Sequence, residues 1–319
     1  MKLRNKAIAM MLALTTIVFS GVSSNAITIQ QIQQIKGLDR YSTASSIAGE
    51  MGSYDSVILV NADNNKLSDG LSASGLSGVL KAPILLVSKN SIPNETQLRL
   101  EIAKNIYIIG SENSISSSLE HKLKDSEKGG FSVTRIGGKD RFETSSNVAK
   151  MILSIKGSVG KAFVANGYKG DADAMSISSV AARDGEPVLL TDGTKVDATT
   201  SNILESTSKV YAIGGINSIS TSLIRSIGAN RLSGNDRFET NAQVINAFYS
   251  EKPQQYFLSD GYKLVDALTG SPLAGKSLSP IVLVNGYSNK SILSGAQRMI
   301  SLGGISTSVL NACVAAANK

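Results

Sequence analysis

One phrase is written three times along this chain: GLDRYST at 37–43, GGKDRFET at 137–144 and SGNDRFET at 233–240. Comparing the chain with itself extends the repetition. The arginine of the phrase is Arg40, Arg141 or Arg237, and an aspartate in a Gly/Ala-rich setting follows at Asp69, Asp173 or Asp266. A proline then opens an aliphatic run at Pro83 (PILLV), Pro187 (PVLL) or Pro280 (PIVLV), always 14 residues after that aspartate. Next come IYIIGS, VYAIGG or MISLGG, each followed by a Ser/Thr cluster starting at Ile115, Ile219 or Ile305. Landmarks in one order, three times over, define a unit of about 95 residues, too long for a solenoid repeat and right for a small domain.

Within each unit, the periodicity predicts alternating helices and strands. After the arginine, apolar residues recur at helical spacing: Ile47, Ala48 and Met51; Val148, Ala149 and Ile152; Val244, Ile245 and Phe248. The short continuous runs VILV (57–60), AFVA (162–165) and YFL (256–258) suit parallel strands covered on both faces. A proline at the first position of the following strand interrupts no ladder bond. The fold class expected is α/β, three tandem units with parallel-rich sheets joined by right-handed crossovers. Boundaries are placed near the polar DSEKGG segment (125–130) and near Gly228–Asn230, giving units at 27–128, 129–228 and 229–319 and leaving no interval for a fourth domain.

Residues 1–26 read as a secretory leader: a cationic start (Lys2, Arg4, Lys6), an apolar run to about Phe19 and a small-residue exit at Ser24 and Ala26. No later stretch is apolar enough to span a bilayer. Losing the leader removes three cations and no anion, lowering the formal net charge from +7 to +4. The mature chain is therefore mildly basic. Aromatic residues make up only 5% and tryptophan is missing, which argues against stacking-based recognition of sugars or of single-stranded nucleic acid. Cys313 is the only cysteine, so no intrachain disulfide forms, and an exported chain of that kind fits a bacterial origin. A lone His121 is too little for a zinc site or a histidine-dependent triad, and no cofactor is implied. The octet GSPLAGKS (270–277) matches a phosphate-binding loop, but it leads into a strand instead of following one, so nucleotide binding is not expected. Asp171 beside Asp173 could suggest a carboxylate pair, yet only Asp173 recurs in the other copies.

The repeated phrase is a helix-start signal. Asp140 and Asp236 are expected as N-caps, with Glu143 and Glu239 completing capping boxes, and Asp39 with Ser42 as a weaker version. Capping requires neither the arginine nor Thr43, Thr144 and Thr240. An arginine beside a helix N-terminus opposes the macrodipole, so its repetition has another cause. Two readings stand. The arginines pair with Asp69, Asp173 and Asp266 to tie neighbouring loops, or they join the helix N-terminal amides in holding a phosphate or carboxylate; the two can combine.

Taken together, the leader, the three G-x-D-R-[FY]-x-T phrases, the recurring Asp-[GA]-[LM] and the P-[IV]-[LV]-L strands resemble the cell wall binding type 2 repeat of Gram-positive surface proteins. The resemblance covers nearly all of the mature chain. It implies three Rossmann-like units packed around a pseudo-threefold axis, with the PILL-type segments near their mutual contacts. It also implies a secreted, non-catalytic protein held non-covalently in the cell wall or surface layer. The partners implied are an anionic cell wall polysaccharide or teichoic-acid-like polymer and other surface-layer proteins. Arg40, Arg141 and Arg237 with Thr43, Thr144 and Thr240 are the ligand-binding candidates; Asp39, Asp140 and Asp236 with Asp69, Asp173 and Asp266 are their structural partners. An extracellular enzyme acting on wall glycan is the alternative, and it would require a carboxylate pair unique to one repeat and a deep cleft. The family pattern usually includes a further functional domain, for which this chain has no room. The third copy is shorter after its glycines (GGISTSV against GGINSISTSL), so its site is expected to differ.

Overall fold

Each copy of the repeated phrase starts a helix, and the strand just before it belongs to the sheet of the preceding unit. The computed structural model describes residues 26–63, 67, 69–125 and 130–319; the expected leader lies outside these apart from Ala26, as does most of the 125–130 linker. The first strand, β1 (Gln33–Ile35), is considered last because its partner lies at the other end of the chain. The first sheet holds β2 (Ser56–Asn61), β3 (Ile84–Val87), β4 (Asn105–Ile109) and β5 (Ser132–Ile136) in the order β3-β2-β4-β5. The second holds β6 (Lys161–Asn166), β7 (Val188–Thr191), β8 (Lys209–Ile213) and β9 (Asn230–Leu232) in the order β7-β6-β8-β9. The third is built from β10 (Gln255–Asp260), β11 (Ile281–Val284) and β12 (Arg298–Leu302), and β1 completes it, in register from Gln33 opposite Ile300 to Ile35 opposite Leu302. Every pairing is parallel. The protein is thus α/β with three parallel four-stranded sheets, as the periodicity predicts.

The helices are α1 (Arg40–Glu50), α2 (Ala73–Leu80), α3 (Asn94–Leu100) and α4 (Ser117–Lys124) in the first unit. They are α5 (Arg141–Lys156), α6 (Asp171–Asp184), α7 (Ala198–Glu205) and α8 (Thr221–Ser226) in the second, and α9 (Arg237–Phe248), α10 (Val265–Lys276) and α11 (Thr307–Ala317) in the third. The apolar faces expected after each arginine are buried, with Ile47, Val148, Ile152 and Val244 almost wholly out of solvent. The equivalent helices α2, α6 and α10 pack on one another around a common axis. Leu71, Leu76, Ile177, Val180, Leu268 and Leu273 share one core there. The proline-led strands β3, β7 and β11 also reach this core, through Ile84, Val188 and Ile281.

Small residues let the central helices approach closely. The Ser271 hydroxyl meets that of Ser74 at 3.0 Å between α10 and α2, both side chains buried. The GSPLAGKS octet lies here, inside α10, and its Lys276 Nζ donates to the Met51 carbonyl at 2.6 Å. No loop exists at that place to wrap a phosphate. Among the described residues, no helix is long and apolar enough to cross a membrane.

Candidate functional site

The residues repeated three times gather at the C-terminal edge of the parallel strands. In the first unit the chain runs from β2 outward to β3 and then returns to the other side of β2 as β4. Strand order reverses there, and the loops leave in opposite directions and open a crevice, the place where sheets of this topology hold ligands. A cleft of about 560 Å³ occupies it, with Asn61, Asp69, Lys89 and Ser114 on one wall. Lys139 and Arg141 of the next unit form the other wall. The crevice is therefore a junction between units.

The start of each helix is fixed locally. Asp140 accepts from the amides of Phe142 and Glu143, at 3.0 and 2.9 Å, and Asp236 accepts from Phe238 and Glu239. The expected capping boxes are corrected in detail. Glu143 and Glu239 reach past the cap to the amides of Lys139 and Asn235, at 2.7 and 2.9 Å, because their longer side chains span one residue more. The strict reciprocal box belongs to the first copy: Ser42 donates its amide to Asp39 at 2.8 Å while its hydroxyl accepts the Asp39 amide at 3.0 Å. Glycine precedes each phrase for a steric reason. A Cβ on Gly37 would lie 2.2 Å from Ser42 Oγ, and one on Gly234 would lie 2.2 Å from Glu239 Cβ.

Thr43, Thr144 and Thr240 are buried, and their hydroxyls accept the amides of Gly37, Gly138 and Gly234 at 3.0, 3.1 and 3.0 Å. They hold the turn between strand and helix. Thr144 also stands near enough to Asp69 of the preceding unit to favour its charged form.

The arginines bridge loops by a different route from simple ion pairing. Nη1 of Arg40, Arg141 and Arg237 donates to the carbonyls of Ala62, Gly167 and Gly261, at 2.7, 2.5 and 2.9 Å, just past β2, β6 and β10. The guanidinium of Arg141 stacks on Tyr168 at 5.1 Å from the ring centre, and that of Arg237 on Tyr262 at 4.4 Å. The first unit has Asp63 where the others have tyrosine, and that carboxylate accepts the Lys89 amide at 2.7 Å. Each repeated aspartate feels an arginine of the following unit: Asp69 that of Arg141, Asp173 that of Arg237, and Asp266 that of Arg40. The relation is cyclic and closes the ring.

Burial sets the protonation of these aspartates. It pushes Asp69 above the usual carboxylate range, against the opposing hydrogen bonds of Ser114 and Thr144 and the charge of Arg141. It raises Asp173 to about 6 despite Ser218 and Arg237, and Asp266 to about 6 despite Lys263 and Arg40. Gly110, Gly214 and Gly303 make room for them. Each has positive φ, and a Cβ would lie 2.6, 2.4 or 2.0 Å from the corresponding carboxylate oxygen.

Several site residues escaped the repeat comparison. Tyr168 and Tyr262 stand in the triplet GYK, written at 167–169 and 261–263, so the signal was present in two copies of three. Asn61 and Asn166 close the crevices by donating to the carbonyls of Ser114 and Ser218, and the third unit has Asp260 instead. Asp171, set aside by sequence, begins α6 and lines a third cleft of about 460 Å³ beside Arg40, Tyr262 and Asp266. Burial raises its pKa as well, against the charges of Arg141 and Arg237. His121 is exposed on α4, whereas Cys313 is buried in α11 with its thiol pushed up to about 11.

A family model described as Cell wall binding domain 2 (CWB2) matches residues 34–120, 135–224 and 231–310. The chain is 34% identical over 257 residues to the amidase enhancer of Bacillus subtilis (strain 168), across 78% of this chain and 34% of that protein. It is 29% identical over 280 residues to N-acetylmuramoyl-L-alanine amidase LytC of the same bacterium, across 86% of this chain and 54% of that one. Among solved structures, Cwp6 from Clostridium difficile superposes with a TM-score of 0.82 at 34% identity, covering 90% of this chain and 48% of that one. Cwp8 from Clostridium difficile gives 0.79 at 31%, covering 90% and 51%. The chain thus spans about half of the length of these relatives, or less. Three matches along the chain, coinciding with three sheets and three arginine-bearing helix starts, carry one conclusion: the chain belongs to the Cell wall binding domain 2 family, a family of binding units.

Proposed function

We propose that the protein is exported and held non-covalently in the cell wall or surface layer by an anionic wall polymer lodged in the junctions between units, and that it acts there by binding and not by catalysis. The observation that carries this is the state of the junction arginines. Arg141 and Arg237 each spend one donor on a backbone carbonyl and rest a face on tyrosine. A guanidinium has five N–H donors, so both are fixed in place with donors left over, Arg141 on the wall of the first crevice and Arg237 beside Asp173. Phosphate suits such a planar donor set. Lys89 and Lys139 add positive charge to the first crevice. Similar weak contacts repeated on one rigid body make the second and third contacts to a repeating polymer intramolecular.

The test is sedimentation with purified cell walls, before and after acid removal of phosphate-linked polymers, with Arg141→Ala and Arg237→Ala beside the wild type. Retention is expected to fall on stripping and to fall further in the double variant, whose fold is checked by circular dichroism. Retention that survives stripping unchanged overturns the anionic-polymer reading. Retention that is lost on stripping but unaffected by the folded double variant moves the site away from these arginines.

A further inference from the structure

The third crevice differs from the first two in what it lacks. From Gly110 to the helix cap at Ser116 the chain reads GSENSIS, and from Gly214 to Ser220 it reads GGINSIS. From Gly303 to the equivalent cap at Ser306 it reads GGIS, three residues shorter. The missing segment includes the serine that serves the repeated aspartate: Ser218 donates to Asp173 at 3.2 Å, and Ser114 stands near enough to Asp69 to favour its charged form. Asp266 is only 8% exposed, and among the described residues none donates a hydrogen bond to its carboxylate. It lines the 460 Å³ cleft from inside.

The surroundings do not replace what was removed. Asp260 stands where the other units have asparagine, and its charge presses on Asp266 unfavourably. Asp171, on the cleft wall, adds a third carboxylate where the other units have Leu67 and Leu264 at the matching positions. Lys263 and Arg40 act on Asp266 through their charge. Its oxygens still reach the solvent of the cleft, so water serves them until a ligand donor takes its place.

We propose that this cleft holds a primary ammonium group carried by the wall polymer, as on an amino sugar, with the Asp266 carboxylate as its acceptor. The inference rests on the junction reading above and makes it unequal: guanidinium for phosphate at the first two junctions, carboxylate for ammonium at the closing one. An ammonium brings three donors and a full charge, whereas a sugar hydroxyl brings one donor and none. The cleft wall carries Asp39 and Asp171 beside Asp266, against Arg40 and Lys263, so carboxylates outnumber cations by three to two. The bond formed is charge-assisted on both sides, about twice the strength of a neutral one. Since binding draws on ionised Asp266, affinity falls as pH drops through about 6, and Asp39, Asp171, Asp260, Lys263 and Arg40 are the charged groups around it.

Calorimetry or NMR titration of the purified protein with methyl glucosaminide and with methyl N-acetylglucosaminide tests this. The amine is expected to bind about tenfold more tightly at pH 7.5, the size one charge-assisted hydrogen bond supports, with most of that preference gone at pH 5. Asp266→Asn is expected to abolish the preference. So is insertion of Asn-Ser-Ile between Ile305 and Ser306, which restores the serine. Asp55→Asn, which removes an exposed carboxylate at the start of β2, keeps it. Equal affinity for the two sugars, no measurable binding of the amine, or a preference that survives Asp266→Asn overturns the ammonium site. Wall sedimentation separates the two levels. Retention lost on stripping, with no amine preference, sinks this inference alone; retention indifferent to stripping sinks the junction reading beneath it.

Discussion

A carboxylate set deep in a cleft without a protein donor stores instability, and its size can be worked out. Asp266 is 8% exposed and titrates at about 6, against 3.8 for an open aspartate, chiefly because burial penalises its charged form. The folded state therefore holds this proton more tightly than the unfolded chain does. The residue's stabilising contribution is complete below about pH 4 and is lost as pH rises through about 6. At about 1.4 kcal/mol for each tenfold change in proton affinity, the whole amount is on the order of 3 kcal/mol. Asp266→Asn presents an uncharged group of the same shape at every pH. In urea unfolding followed by circular dichroism, it should match the wild type near pH 4 and exceed it by about 2–3 kcal/mol at pH 7.5. Other titrating groups cancel in the difference. Asp39, Glu120, Asp184 and Asp192 stand below their ordinary values and lose stabilisation in acid in both proteins alike. A stability gap that is the same at both pH values, or a variant weaker than the wild type at pH 7.5, refutes the placement of an unsatisfied carboxylate in this cleft. A residue that weakens the fold at neutral pH is the kind a binding site keeps at the expense of stability.

The anion sites should respond to pH in the opposite sense: as pH falls through about 6, Asp173 is neutralised beside Arg237, so retention of Asp266→Asn, in which the ammonium site is silent, is expected to rise several-fold on phosphate-bearing walls between pH 7.5 and 5, and a fall would place ligand away from that pair. Thr144→Val leaves the Gly138 amide without its acceptor; a loss of about 1–2 kcal/mol in urea unfolding is expected, and an unchanged midpoint would dismiss the hydroxyl as structural. Gly78→Ala would push a Cβ to 1.8 Å from the Ala182 carbonyl oxygen between α2 and α6, costing about 2 kcal/mol or more although alanine favours helix. Gly49→Ala, whose only close neighbour is the movable end of Arg99, should be neutral or mildly stabilising in the same assay.

What sequence could read, it read through periodicity and repetition. The buried faces of α1, α5 and α9 follow from apolar residues at helical spacing, and the parallel sheets follow from short aliphatic runs opened by proline. The arginines, threonines and aspartates of the junctions were legible because each stands in all three copies. Residues that break the repetition were not. Tyr168 and Tyr262 lack a partner in the first unit, Asp260 replaces an asparagine, and Asp171 replaces a leucine. Self-comparison discards such positions, although a departure from the repeat is where one site can be made unlike its siblings. Pairing across units was also out of reach. That Arg141 faces Asp69 and not Asp173 depends on how three sheets meet, which no local spacing encodes.

The offset between the written unit and the folded one explains that pairing. A sheet ends with the strand that introduces the next phrase, so β5 and β9 tie each arginine-bearing helix to the sheet before it. The arginine is thereby delivered to the crevice of the preceding unit, beside that unit's aspartate. In an open row of three, this rule would complete only two junctions, leaving Asp266 without an arginine and Arg40 without an aspartate. The strand β1 removes the defect by joining β12, and the Ile27 amide and carbonyl hydrogen-bond the Asn318 side chain near the other end of the chain. The chain's two ends thus make the third junction by the same construction as the first two. The shorter loop after Gly303 can then alter its chemistry without altering its frame. Ring closure comes from the strand and local character from the loop, so the two can vary separately.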